Sequence, residues 1–219
     1  MAEPMIAQFA GFSTTTVSDA LDRLGLAGQC LGLKPLDRGF RLCGRAFTMR
    51  LLPVTPVAGT VGDYIDDVPA GEVVVIDNAG RTDATVWGDI LTFVAERRGI
   101  AGTVIDGVCR DVGPSIDIGY PIYSRGWSMR TGKDRVQLDA LNVTVAIGGA
   151  RVAPGDILLG DADGVVCIAH DHEEEVLRLA GEIDAAEEKI RQAIAGGMRL
   201  DEARQHFKYF TLQSRRTED

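Results

Sequence analysis

The feature that most constrains the fold is a strand, helix, strand pattern between Gly71 and Asp111. Gly71-Glu72 opens an apolar run, Val73-Val74-Val75-Ile76-Asp77, and a loop follows to Val86. A helical stretch then runs from about Gly88 to Arg98 with Gly99 as its stop. A second run, Gly102-Thr103-Val104-Ile105-Asp106, leads into Gly107-Val108-Cys109-Arg110-Asp111. Two strands joined by a crossover helix read as a right-handed βαβ unit with parallel strands. Both runs are apolar at successive positions, as a sheet covered on both faces requires. Parallel strands end on the same sheet edge, which is where α/β proteins bind ligands.

The rest of the chain can be placed around this unit. A helix is expected from about Thr15 to Leu24, with capping candidates at Ser13 to Thr16, an apolar face of Val17, Ala20, Leu21 and Leu24, and Gly25 as its stop. Gly39 to Leu52 reads as strand, ended by Pro53 and Pro56. Further strands are expected at Pro121 to Ser124 and Asn142 to Ile147. Pro154-Gly155-Asp156-Ile157-Leu158-Leu159-Gly160-Asp161 echoes Ala70-Gly71-Glu72-Val73-Val74-Val75-Ile76-Asp77, a turn-plus-strand unit used twice, and Asp163-Gly164 marks a hairpin turn. A long amphipathic helix covers about Glu173 to Ala195, closed by Gly196-Gly197, and a weaker helix starts near Leu200. No stretch reads as a linker, so one α/β domain is expected over 1–219, with C-terminal helices from about 173 to 219.

Composition narrows the function classes. Hydrophobic residues make up 45% of the chain, enough for an ordinary core. Against 23 basic residues stand 32 acidic ones, a formal charge of −9, which disfavours nucleic acid and anionic membrane surfaces as partners. The apolar runs fall far short of the roughly 20 residues of a membrane span, and Glu3-Pro4 is unlike a signal peptide, so neither leader nor anchor is expected. The four cysteines show no C-x-x-C spacing, which points to reduced thiols and a cytoplasmic protein.

Three places combine the right residue types with the right position. Arg110-Asp111 follows a buried strand, where a cation beside a carboxylate can hold an anionic substrate next to a metal; a surface ion pair is the plainer reading. Trp87-Gly88-Asp89-Ile90-Leu91 opens the crossover helix on the same edge, and free N–H groups at a helix start bind carboxylates or phosphates; Asp89 is otherwise a helix cap. Glu187 falls within the stripe formed by Val176, Leu179, Ala180, Ile183, Ala186, Ile190 and Ile194, where a carboxylate needs a partner, while Glu188 falls off its flank. An i,i+4 pair of Glu187 with Arg191 is the alternative.

Other motifs fail on spacing. Gly126 to Lys133 is not a P-loop, because five residues separate Gly126 from Gly132 and Asp134 stands where a Ser or Thr is needed. His170-Asp171-His172 has no third clustered ligand and reads as a polar junction between strand and helix. There is neither a G-x-G-x-x-G after a strand nor a G-x-S-x-G elbow.

W-G-D-I-L at Trp87 to Leu91, G-T-V-I-D-G-V-C-R-D at Gly102 to Asp111 and R-T-G-K-D-R-V at Arg130 to Val136 carry a resemblance that spans Ser13 to Gly197. In them the chain resembles the RraA-like family, which contains 4-hydroxy-4-methyl-2-oxoglutarate/4-carboxy-4-hydroxy-2-oxoadipate aldolases, oxaloacetate decarboxylases and the regulator of ribonuclease E activity. Some members are labelled demethylmenaquinone methyltransferases, an activity for which this chain has no glycine-rich cofactor loop. The resemblance implies a three-layer β/β/α swivelling domain with flanking N- and C-terminal helices, assembled as homotrimers or homohexamers. It implies that Arg110 binds substrate, that Asp111 binds Mg2+ or Mn2+, and that Gly88, Asp89, Ile90 and Leu91 contact the substrate carboxylate through backbone amides. Asp89 would touch water on the metal. A helical glutamate from the neighbouring subunit completes such a site; Glu187 fits best, with Glu188 next if the helix register slips. The implied activity is metal-dependent cleavage of a 4-hydroxy-2-oxo acid to pyruvate, with oxaloacetate decarboxylation beside it. The alternative is a non-catalytic regulator that docks on a partner enzyme.

Overall fold

The computed structural model describes residues 3–56 and 59–209. The chain opens with two helices, α1 (Pro4–Phe9) and α2 (Thr14–Leu24), followed by strands β1 (Lys34–Pro35) and β2 (Leu42–Pro53). The crossover unit is β3 (Val73–Thr85), α3 (Asp89–Arg97) and β4 (Gly102–Cys109), and α4 (Val112–Ile118) and β5 (Ile122–Trp127) come next. Strands β6 (Val136–Leu141), β7 (Val145–Ile147), β8 (Ala150–Val152), β9 (Ile157–Asp161) and β10 (Gly164–Ile168) then precede α5 (Glu173–Ala195) and α6 (Leu200–His206).

The βαβ expectation holds: β3 pairs with β4 in parallel, and β2 and β5 extend the parallel set on either side. The path through the sheet is β1-β5-β4-β3-β2-β9-β10, with β6 joined to β2. β2 is long enough to serve two neighbours on one flank. Leu42 to Arg45 pair with β9, whereas Met49 to Pro53 pair with β6.

The continuous apolar runs are explained by where alternate side chains go. Val74 and Ile76 of β3, with Ile105 of β4 and Ile122 of β5, join Trp87, Ala95 and Tyr120 in one core on the α3 and α4 side. Val73, Val75, Val104 and Tyr123 point the other way, into a second core shared with Val145, Val152, Leu158, Val165 and Cys167. The strands β9 and β10 repeat the device, since Ile157, Leu159, Val166 and Ile168 face a third core made with Phe9, Val17, Leu21, Val176, Leu179 and Ile183 of the flanking helices. Helices, sheet, second β layer and terminal helices thus stack in the order the fold class predicts.

Local rules account for the element ends. Ser13 Oγ accepts from Thr16 N at 3.1 Å and caps α2, which Gly25 closes in the left-handed region. Both copies of the echoed turn carry a left-handed glycine, Gly71 at φ 83° and Gly155 at φ 85°. The hairpin at Asp163-Gly164 joins β9 to β10 as expected.

Two expectations need correction. The segment from Asn78 to Thr85, read as loop, continues β3: Ala79 and Gly80 take positive φ, and the ladder then resumes with Arg81 opposite Gly107 and Thr85 opposite Val108. A bulge of this kind looks like a turn in sequence because the same residues permit both. The strand expected at Asn142 to Ile147 begins only at Val145, because Asn142 sits at φ 50°; Val136 to Leu141 form their own strand instead. Of the C-terminal helices, α5 and α6 match the reading, and 210–219 lie outside the described residues. No described helix is long and apolar enough to cross a membrane, and all four cysteines are free thiols.

Candidate active site

The parallel pairing brings the ends of β3 and β4 to one edge, and there two loops touch. Arg110 N donates to Trp87 O at 2.9 Å and Val86 N to Val108 O at 3.2 Å, which locks the segments side by side. Asp89 N then donates to Asp111 Oδ2 at 3.3 Å, and Arg110 Nε lies 3.2 Å from the same oxygen. Both contacts fall on Oδ2. Gly88 fits because it has no side chain: a Cβ there would sit 2.7 Å from Asp111 Oδ2 and 3.2 Å from Arg110 Nε.

Asp111 adopts φ 56°, ψ 44°, a left-handed conformation unusual for a residue with a side chain. Holding it costs on the order of 1–3 kcal/mol unless the surroundings compensate. Such strain is informative at a site, because it fixes the carboxylate in a direction the preferred backbone would not give. Gly88 is the N-cap of α3 and no side chain caps the helix; Asp89 is its first residue, and Asp89 Oδ1 accepts from Ile90 N at 2.9 Å while the carboxylate stays beside the cleft. The cleft has a volume of about 110 Å³ and is lined by Val86, Trp87, Gly88, Leu91, Arg110 and Thr131 among others. Thr131 arrives from the Arg130 to Val136 motif, which is fastened to β3 by Thr85 N donating to Arg130 O at 3.0 Å.

Two buried hydroxyls that sequence reading did not single out lie beneath these loops, Thr92 of α3 and Ser115 of α4. Each stands four residues after a site residue, Gly88 and Asp111 respectively, and bonds back to that residue's carbonyl at 3.0 Å. That spacing of a hydroxyl to a loop residue is the signal that was available. Burial raises the thiol of Cys109, next to the site, above its ordinary value, which disfavours a thiolate there.

Glu187 lies elsewhere in the chain. Helix α5 packs on α2 and the β9–β10 face through Val176, Leu179 and Ile183, and Glu187 pairs with Arg191 of its own helix at 3.5 Å. Its side chain is partly buried, 28% exposed, whereas Glu188 is 52% exposed and bonds Arg191 at 3.0 Å and Gln192 at 2.8 Å. His170 sits in a 3-10 turn between β10 and α5, with Nδ1 2.9 Å from Glu173, the polar junction expected there. A larger cavity of about 250 Å³ lies between α2 and the β9–β10 turn, but none of the singled-out residues lines it and its Lys34 ammonium donates to the Asp163 carbonyl. Four large apolar side chains near the paired loops are exposed: Ile90 at 74%, Phe93 at 54%, Trp127 at 67% and Met129 at 89%.

Fold and site together define a mixed α/β protein with a second β layer under its parallel sheet and, where the parallel strands end, a small cleft that sets Asp89 and Arg110 among apolar side chains. The chain belongs to the RraA-like (Aldolase/RraA) family, which it matches over residues 14–167. It is 39% identical over 209 residues to the protein DlpA of Legionella pneumophila, covering 94% of this chain and 34% of DlpA. The chain therefore spans about a third of that relative's length. It is 35% identical over 190 residues to a protein of Halalkalibacterium halodurans named "Putative 4-hydroxy-4-methyl-2-oxoglutarate aldolase", covering 87% of this chain and 88% of that one. Among solved structures, an uncharacterized protein from Pseudomonas syringae pv. tomato superposes with a TM-score of 0.86 at 40% identity, over 93% of this chain and 98% of that chain.

Proposed function

We propose that this chain is a divalent-metal-dependent carbon–carbon lyase that cleaves a 4-hydroxy-2-oxo acid to pyruvate and a second oxo compound, and that it also decarboxylates oxaloacetate. The observation that carries this reading is the junction of the two loops, where a guanidinium, the Asp111 carboxylate and a helix start converge within 3.3 Å. The family membership and the name of the Halalkalibacterium relative support it.

The residues present fit Mg2+ or Mn2+ in a particular way. Among the described residues no group of three or more His, Cys, Asp or Glu side chains is arranged to hold a metal. A hard cation that keeps most of its waters needs only one or two carboxylates. Asp111, whose side chain is partly exposed, would hold it, with Asp89 beside it. Bound there, the cation would supply a sink for the negative charge that develops on the 2-oxo oxygen as the carbon–carbon bond breaks. Arg110 would grip the substrate carboxylate through its planar fork. The N–H groups of Asp89 and Ile90 are aimed at carboxylate oxygens of Asp111 and Asp89, so a substrate carboxylate at the Gly88 to Leu91 turn would have to take their place. Asp89, with Glu187 of a neighbouring copy, would orient the acceptor of the 4-hydroxyl proton as that carbon becomes a carbonyl.

A cleft of about 110 Å³ is small against the ~300 Å³ and upward typical of ligand pockets, which supports completion of the site by a second copy. We therefore infer a homotrimer or homohexamer with sites at subunit interfaces. The exposed Ile90, Phe93, Trp127 and Met129 also favour a second reading, a non-catalytic regulator docked on a partner enzyme through this edge. The test is to assay the purified protein with oxaloacetate and with 4-hydroxy-4-methyl-2-oxoglutarate, with and without Mg2+. The lyase reading expects Mg2+-dependent release of pyruvate and its loss in Asp111→Asn by on the order of a hundredfold or more, the scale of a positioned catalytic group. No pyruvate from either substrate favours the regulator.

A further inference from the structure

Thr92 and Ser115 link the two site loops from below. Both are fully buried, and their oxygens are 3.1 Å apart. Thr92 Oγ1 is 3.0 Å from Gly88 O, and Ser115 Oγ is 3.0 Å from Asp111 O. Trp87 Nε1 donates to Thr92 Oγ1 at 2.9 Å and anchors the chain of contacts in the core. Three oxygen–oxygen contacts thus run from Gly88 to Asp111, yet the two hydroxyls have only two protons to place in them. Whichever contact lacks a proton, neither end carbonyl is orphaned, because Thr92 N donates to Gly88 O at 3.0 Å and Ser115 N to Asp111 O at 3.3 Å. With a proton between the two hydroxyls, the link can run in either direction, one hydroxyl donating to the other and the second donating to its loop carbonyl.

We infer that Thr92 and Ser115 are positioning residues that set the spacing between the Gly88 to Leu91 turn and Asp111. Each bonds to the carbonyl of a loop residue whose geometry is demanding: Gly88, against which Asp111 is packed, and Asp111, held left-handed. An apolar pair of the same shape would fill the space, and the strand-end bonds of Arg110 N to Trp87 O and Val86 N to Val108 O would remain, but no tie would reach Gly88 and Asp111 from below, leaving their spacing to the side-chain contacts of Asp111. The inference rests on reading these loops as the active site.

The experiment compares Ser115→Ala, Thr92→Val and the hydroxyl-retaining Thr92→Ser with the full-length parent. Three quantities are read: kcat and KM for Mg2+-dependent pyruvate release, amide hydrogen exchange of the ligand-free protein over residues 86–92 and 110–116, and the thermal midpoint. Ser115→Ala should lower kcat roughly ten- to a hundredfold with KM little changed, the signature of misplaced groups. It should also speed exchange in the Gly88 to Leu91 turn, on the other side of the link. Thr92→Ser should keep parental kcat and exchange. A folded Ser115→Ala protein with parental kcat and parental exchange at Gly88 to Leu91 overturns the inference. If Thr92→Val fails to fold because the Trp87 indole has lost its acceptor, Ser115→Ala still decides. Should the parent release no pyruvate at all, the lyase reading falls, and the exchange data alone decide whether the two hydroxyls hold the loops together.

Discussion

At the scale of single residues, Gly88 shows how little room the junction leaves. Its backbone is extended, at φ −153°, so any residue would satisfy the dihedral, and the need for glycine is one of space. In Gly88→Ala the new methyl would lie 2.7 Å from Asp111 Oδ2, and the short aspartate side chain can escape only by turning away from Asp89 N. The fold should tolerate this, because the loop faces a cleft, so the thermal midpoint is expected to stay within a few degrees, less than about 1 kcal/mol. Activity should fall by roughly tenfold or more through displacement of the carboxylate, as misplaced groups do. Parental kcat in Gly88→Ala would show that Asp111 does not work from the position seen here.

At the scale of elements, α2 is fastened to the end of β9 through Asp161. Thr14 N donates to Asp161 Oδ2 at 2.8 Å, and Thr14 Oγ1 and Asp163 N donate to Oδ1 at 2.6 and 3.0 Å. Burial by itself would raise this carboxyl, but the Thr14 and Asp163 bonds outweigh it and hold it below its ordinary value of 3.8. A depressed folded value means that the stabilisation is fully present above 3.8 and is lost as the pH falls toward the folded value. Asp161→Asn should therefore destabilise by about 1–3 kcal/mol near neutral pH, the scale of a lost buried charged acceptor. Urea titrations should show that gap closing as the pH drops below 3.8, and a gap independent of pH would remove Asp161 from the account.

The same scale shows what could be read from sequence. The crossover unit, α2, α5 and the β9–β10 hairpin were legible because each has a full period of apolar residues and a capping or turn residue at its end. The shift at Ala79-Gly80, the short β7–β8 pair and α4 were not, because their limits come from what they pack against. In the site, Arg110, Asp111 and the Gly88 to Leu91 turn could be brought together because parallel strands end on one edge. Thr92 and Ser115 could not, since the contact between α3 and α4 that joins them has no local pattern. Glu187 was visible as a carboxylate near an apolar stripe, but one chain pairs it with Arg191, and only an assembly can give it another role.

For the whole molecule, a shared site predicts complementation. Asp111→Ala and Glu187→Ala chains should each be inactive, while co-expressed chains form some interfaces with one intact Asp111 and one intact Glu187 and recover part of the activity. Purified mixed assemblies that stay inactive would confine Glu187 to its own chain, and Glu188→Ala in the same experiment detects a one-residue shift along α5. Ile90, Phe93, Trp127 and Met129 give the assembly a further property. Burying such side chains contributes about 1.5–3 kcal/mol each relative to leaving them in water. If neighbouring copies cover them, that contribution enters through mass action, and the completed site becomes a function of how many chains share the solution. Specific activity would then fall on dilution while each chain kept its fold, so that abundance itself would set how much of the protein is at work.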